Sequence, residues 1–243
     1  MKPRALLAAF VVVTACAAGP ESELLVSAAS SLTDAFAEIE SSFEAEHPDI
    51  EIVLNLGATS TLRRQILEGA PADVFASADT INMDQVVSAG LAIGRPRVFA
   101  TNRLQIAVRR GNPTGLQGLA DLADPERVIG LCSVAVPCGR LARLALESAG
   151  ITPSVDSEEP NVRALLTKIA AGEIDAGIVY QSDVTAEDDV EGISIPPEDN
   201  QVNQYLIVTL VGAADSEAAA LFIDHVLSTR GQAILSDHGL EAP

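Results

Sequence analysis

The chain has 243 residues, a formal net charge of −19, no Trp, two Tyr and six Phe. That length supports one large domain or two lobes with separate cores, built here mainly from Leu, Val, Ile and Ala. The acidic balance argues against nucleic acid and against an anionic membrane surface as partners.

Residues 1–16, MKPRALLAAFVVVTAC, read as a targeting segment. Lys2 and Arg4 form a positive start, and Ala5–Val13 is an apolar stretch too short to span a bilayer. Val13-Thr14-Ala15-Cys16 resembles a bacterial lipobox, in which the Cys is lipidated and becomes the mature N-terminus. An ordinary secretory signal with an incidental Cys is the alternative. Residues 17–23, AAGPESE, read as a flexible tether.

Leu24–Phe43 predicts a strand, a turn of small residues and a helix. Leu24, Leu25 and Val26 suit a buried strand, and Leu32, Ala35, Phe36, Ile39 and Phe43 recur at helical spacing. Ser31 stands where an N-cap belongs, with Asp34 three residues on. The unit repeats: Ile50–Leu56 alternates as a strand, Gly57–Thr61 is a second hydroxyl-rich turn, and a helix follows from about Leu62. A helix start that offers N–H groups, a hydroxyl and a positive dipole end is suited to an anion.

Further on, Ala72–Ala78 predicts a strand, Asn82–Ala89 a helix and Arg97–Val108 a long extended segment. A helix around Leu119–Leu122 precedes strand Arg127–Cys132 and, after the turn Val136–Gly139, helix Arg140–Ala149. Helix Val162–Ala171, strand Ala176–Tyr180, strand Leu206–Gly212 and helices Asp215–Ser228 and Arg230–Asp237 complete the pattern. Strands alternate with helices, which predicts an α/β fold with mostly parallel sheets and helices on both faces. The extended stretches 102–108 and 204–210 are expected as two hinge crossovers. They divide lobe I (24–101 plus 211–243) from lobe II (109–203), with a cleft between.

Cys132 and Cys138 are left if Cys16 carries lipid, an even number in an oxidising compartment. A small disulfide loop is predicted; two metal ligands or two free thiols are the alternatives, and no His lies nearby to complete a zinc site. The three His (47, 225 and 238) sit in no motif with a nucleophile, and there is no Gly-x-Ser-x-Gly elbow, so no enzyme is expected.

The stretches AASSLTDAF (28–36), STLRRQILEGAPADVFASAD (60–79), VPCG (136–139), GIVYQSD (177–183) and RGQAILSDHGL (230–240) carry a resemblance. From about Val26 to Leu240 the chain resembles the molybdate-binding proteins of bacterial ABC importers, a branch of the two-lobed periplasmic binding proteins. The resemblance implies the two-lobed periplasmic-binding-protein fold (type II-like) and an oxyanion, molybdate or tungstate, held by hydroxyls and backbone N–H groups from both lobes. Carried over by motif, the contacts are the hydroxyl of Ser31, a hydroxyl of Thr59 or Ser60, the N–H groups of Cys138 and Val162, and the hydroxyl of Tyr180. No cofactor is implied, and the molybdenum is reached only through its oxygens. The implied partners are a permease with its ATPase and, through lipid on Cys16, the outer face of the cell membrane; the protein itself is expected to be a monomer. Another ligand such as sulfate, or a cytoplasmic effector-binding domain of similar fold, are the competing readings, and the signal segment argues against the second.

Overall fold

A computed structural model describes residues 22–243; the expected signal segment with Cys16 lies outside the described residues, as does the tether up to residue 21. The first half of the chain forms β1 (Ser22–Ala29), α1 (Thr33–Glu46), β2 (Ile50–Gly57), α2 (Thr59–Leu67), β3 (Val74–Ser77), α3 (Thr80–Ser88) and β4 (Ala92–Arg109). The second half forms β5 (Ile129–Cys132), α4 (Pro137–Ser148), β6 (Val155–Glu159), α5 (Val162–Ala170), β7 (Ala176–Tyr180), α6 (Gln181–Thr185), β8 (Val190–Ser194), β9 (Val202–Leu210), α7 (Ser216–Leu227) and α8 (Thr229–Asp237).

These strands make two sheets that share β4. The first runs β2-β1-β3-β9-β4, with β1, β2 and β3 parallel and β9 antiparallel to β3. In the second, β5 pairs in parallel with β6 and β7, and β4 pairs antiparallel with β7 and β8. Within β4 the partners change abruptly: Ala92–Arg103 pair with β9, and Leu104–Arg109 pair with β7 and β8. Of the stretches expected as crossovers, 102–108 contains this switch, with 104–108 in the second sheet, while 204–210 lie in β9 of the first, where 206–209 pair also with β3. The chain passes between sheets at Arg103–Leu104 and returns in the segment before Val202.

Side-chain alternation covers both faces of the first sheet. Val74, Ala76, Tyr205 and Ile207 point into a core with α1, α7 and α8. Phe75, Leu206, Val208 and Leu210 point to the opposite face, into a core with α2 and α3. The second sheet has its own core, in which Ile106, Val108, Ile129, Leu131, Ile178 and Val179 meet Ala142, Leu146, Leu165 and Ile169 from α4 and α5. Burial on both faces accounts for the near-continuous apolar runs of β3, β7 and β9.

Three elements escaped the sequence reading. β6 reads VDSEE and β8 reads VEGIS, so neither offers an apolar run, and both lie at edges of the second sheet. α6 has five residues, too few to show a helical period. Helix starts also fall earlier than expected: α2 begins at Thr59 rather than Leu62, and α4 at Pro137 rather than Arg140. Pro137 fits there because a first-turn residue has no N–H bond to lose.

Candidate ligand-binding site

Parallel strands followed by helices bring helix starts to one edge of each sheet, the edge at which open α/β sheets bind ligands. Here the two edges face each other. From the first sheet come the turn after β1, with Ser30 and Ser31, and the start of α2, with Ala58 and Thr59. From the second come the starts of α4, with Cys138, and α5, with Asn161 and Val162, and the end of β7 at Tyr180. All of these residues line one cavity, together with Ala29, Ala78, Val136 and Pro137. Its space is small, about 230 Å³ with the part open to solvent included, which suits a small ion.

The structure therefore gathers Ser31, Thr59, Cys138, Val162 and Tyr180 from five separate stretches of chain. Ser60 is not among the lining residues, so of the two candidate hydroxyls Thr59 is the one at the cavity.

Each hydroxyl has a partner on its inner side. Thr59 Oγ1 accepts from the N–H of Ala78 at 3.3 Å. Tyr180 Oη accepts from Asn203 Nδ2 at 3.4 Å. Ser31 Oγ lies 2.8 Å from Tyr205 Oη, and Asn102 Nδ2 donates to that phenol at 3.4 Å and to Ser182 Oγ at 2.7 Å. This corrects the expectation for Ser31. It sits in a 3-10 turn ahead of α1, and the capping position falls on Leu32 with no side-chain cap. A buried phenol, not a helix N–H, is its partner. Burial holds both Tyr180 and Tyr205 well above the ordinary phenol pKa, so both stay protonated.

Cys132 and Cys138 form a disulfide that ties the end of β5 to the first turn of α4. Gly139 follows it, packed so closely that a Cβ there would stand 2.1 Å from the carbonyl oxygen of Ser133. On α5, Asn161 caps the helix by accepting from the N–H of Ala164 at 2.9 Å.

Among the described residues, no Lys or Arg lines the cavity. Two arginines do span the cleft beside it, each engaged by a carboxylate of the opposite lobe: Arg140 with Asp79, and Arg163 with Asp34. Asp34, expected to serve the start of α1, is drawn instead to the other lobe. These pairs were missed by the sequence reading, as were Tyr205 and Asn102. Arginine in the first turn of a helix, where the dipole disfavours a cation, was the available signal for Arg140 and Arg163. No group of His, Cys, Asp and Glu suited to a metal occurs among the described residues. No helix among them is long and apolar enough to cross a membrane. The cavity is lined by hydroxyl residues and by the first turns of helices, where N–H groups have no partner within the helix, and by no cationic side chain.

Comparison with known proteins agrees with this geometry. The model of a bacterial extracellular solute-binding protein family matches residues 24–241. The molybdate-binding protein ModA of Mycobacterium tuberculosis is 37% identical over 221 residues, spanning 90% of this chain and 85% of that protein. Among solved structures, the periplasmic molybdate-binding protein of Azotobacter vinelandii superposes with a TM-score of 0.78 at 20% identity, covering 90% of this chain and 99% of that one. The sulfate-binding protein SubI of Mycobacterium tuberculosis superposes with a TM-score of 0.82 at 15% identity, covering 91% of this chain and 87% of that one. At those identities the two structures speak for the fold alone. With the family model spanning nearly all the described residues and a relative at 37% identity over nine-tenths of the chain, the protein belongs to the bacterial extracellular solute-binding proteins.

Proposed function

We propose that the protein captures molybdate or tungstate in the cavity between its lobes and delivers it to an ABC importer, acting as a binding protein and not as an enzyme. The observation that carries this is the convergence of Ser31, Thr59, Cys138, Val162 and Tyr180, read from five separate motifs, on one small cavity without a lining cation. In this reading the three hydroxyls and the N–H groups of Cys138 and Val162 donate to the oxygens of a tetrahedral dianion, with no bond from protein to metal. Hydrogen bonds to a charged acceptor contribute roughly 1.5–3 kcal/mol each, so five hold a dianion tightly once water is excluded. Hydrogen phosphate carries a proton that this shell cannot accept. Sulfate is smaller, and its hydrogen bonds in the same cage would be long. The 37% identity to a protein named for molybdate favours molybdate over sulfate.

Both lobes contribute contacts, so binding is coupled to closure about the crossings at Arg103–Leu104 and before Val202. The protein is proposed to work as a monomer held at the outer face of the cell membrane by lipid on Cys16. Changing Cys16 to Ser should move it from the membrane to the soluble fraction; unchanged retention at wild-type mass would refute the anchor. Calorimetry of the soluble domain with molybdate, tungstate, sulfate and phosphate tests the ligand. Molybdate and tungstate are expected to bind far more tightly than the other two. Phosphate binding as tightly as molybdate would overturn the reading.

A further inference from the structure

The hydroxyls at the cavity are not free rotors. Thr59 Oγ1 accepts a hydrogen bond from the N–H of Ala78, which has no other role than donor. Tyr180 Oη takes one from the amide of Asn203. Ser31 is the case that needs an argument, because either atom of its 2.8 Å contact with Tyr205 is able to donate. Asn102 decides it. Its amide nitrogen donates both to Ser182 Oγ and to Tyr205 Oη, occupying the phenol from behind. That bond takes up acceptor capacity of the phenol and leaves Ser31 Oγ as the acceptor within reach of its single proton, an arrangement in which the proton of Ser31 faces the cavity. Tyr205 is fully buried and its ring is held edge-on against Phe99 and Tyr180, so this arrangement has little room to relax.

Resting on the binding reading above, we infer that Tyr205, with Asn102 behind it, is a positioning residue that fixes Ser31 as a donor toward the cavity and thereby helps the site reject singly protonated anions. Neither residue touches the cavity. Their effect is on direction. A hydroxyl that already accepts from within has its proton turned outward and strengthened as a donor. A hydroxyl without that inner donor is able to turn a lone pair outward, and a lone pair is what the proton of hydrogen phosphate needs. The chain also crosses the cleft floor: Asn102 lies at the sheet crossing, Ser182 is on α6 of one lobe, and Ser31 belongs to the other.

The test is a double-mutant cycle of Tyr205→Phe and Ser31→Ala, titrated by calorimetry with molybdate and with inorganic phosphate at neutral pH. Tyr205→Phe keeps the packed ring, and the melting temperature of the unliganded variant checks the fold. Should that variant not fold, Asn102→Ala breaks the same chain one link further out. Tyr205→Phe is expected to weaken molybdate about threefold to tenfold, a fraction of one charge-assisted hydrogen bond. It should narrow the preference for molybdate over phosphate by at least that factor. In the Ser31→Ala background, Tyr205→Phe should change neither affinity by more than about twofold, since the hydroxyl it orients is gone. An equal loss in both backgrounds, or an unchanged molybdate-to-phosphate ratio, overturns the inference while leaving the binding reading intact. If Ser31→Ala alone leaves molybdate affinity unchanged, the binding reading fails at Ser31 and the inference falls with it.

Discussion

At the scale of single residues, the buried carboxylate of Asp183 makes the clearest pH prediction. It follows Tyr180 by three residues and accepts from the Tyr180 N–H at 2.9 Å, while its Oδ1 has no partner. Burial is the dominant influence and pushes it up to about 7, against the N–H bond and the nearby Arg163, which favour the charged form. The unfolded value is about 3.9. Below about pH 4 both states hold the proton; between pH 4 and 7 only the folded state keeps it, so stability falls as pH rises through that window. Asp183→Asn should melt close to wild type at pH 4 and progressively higher than wild type up to pH 7, levelling off above. Melting curves that stay parallel at all pH values would refute this. At the cavity itself, Tyr180→Phe and Ser31→Ala should each weaken molybdate about tenfold or more, the loss of one hydrogen bond to a charged acceptor. Wild-type affinity in both variants would remove them from the site. Ser31 and the turn Gly57–Thr61 stood out as hydroxyls at helix starts, whereas Thr59 over Ser60 and Tyr180 were pointed to by the family resemblance and not by the pattern of the sequence. Tyr205 was not legible: it stands immediately before the apolar run Leu206–Gly212, where a phenol reads as core until its neighbours are known.

Secondary-structure elements carry the backbone donors, and their placement depends on how strands join helices. The disulfide from Cys132 to Cys138 closes a short loop between β5 and α4. Chain entropy values such a loop at about 2 kcal/mol. Cys132→Ala with Cys138→Ala should therefore fold, lose about that much stability in denaturant titration, and bind molybdate more weakly because the Cys138 N–H is less firmly held. No stability change on reduction of wild type would show the link to be energetically idle. Gly139→Ala is expected to be more damaging than loss of the disulfide, since the added carbon meets backbone that has nowhere to move. Sequence carried these elements unevenly. β1, β3, β7 and β9 were readable from apolar runs, and α5 from Val162, Leu165, Leu166 and Ile169. Exposed edge strands and one-turn helices were not, because nothing in a polar pentapeptide distinguishes pairing from solvation. The GAPADVFASAD stretch proves partly structural: Asp73 is buried and accepts from the N–H groups of Leu25 at 2.7 Å and Ala214 at 2.8 Å, joining three distant segments.

For the whole molecule, the ion pairs Arg140–Asp79 and Arg163–Asp34 join the two lobes on either side of the cavity. They require the lobes to be together, so they favour the closed form whether or not an anion is present. Arg140→Gln combined with Arg163→Gln should raise the molybdate dissociation rate. Each pair is part-exposed, and a contribution of roughly 0.2–1 kcal/mol corresponds to about 1.4-fold to fivefold per pair. Small-angle scattering should show a larger radius for the unliganded variant than for unliganded wild type. Equal radii and equal dissociation rates would mean that the pairs merely decorate the cleft. The two-lobed plan was legible from the order of strands and helices, and the stretch 102–108 contains the point where β4 changes sheets, but its position within that stretch was not legible. β4 runs through both sheets without interruption, and an uninterrupted strand offers no composition change to mark where its partners switch.

The position of β1 in the first sheet also fixes where the domain faces. Its eight residues run from Ser22, where the preceding chain enters, to Ala29 at the cavity wall, a length of roughly 26 Å at 3.3 Å per residue. Whatever holds the protein from its N-terminal side takes hold at the end of β1 remote from the cavity. A leash upstream of Ser22 would therefore stand one strand length away from the cavity wall at Ala29. A dye or a sensor chip attached there reports on capture without standing in the doorway.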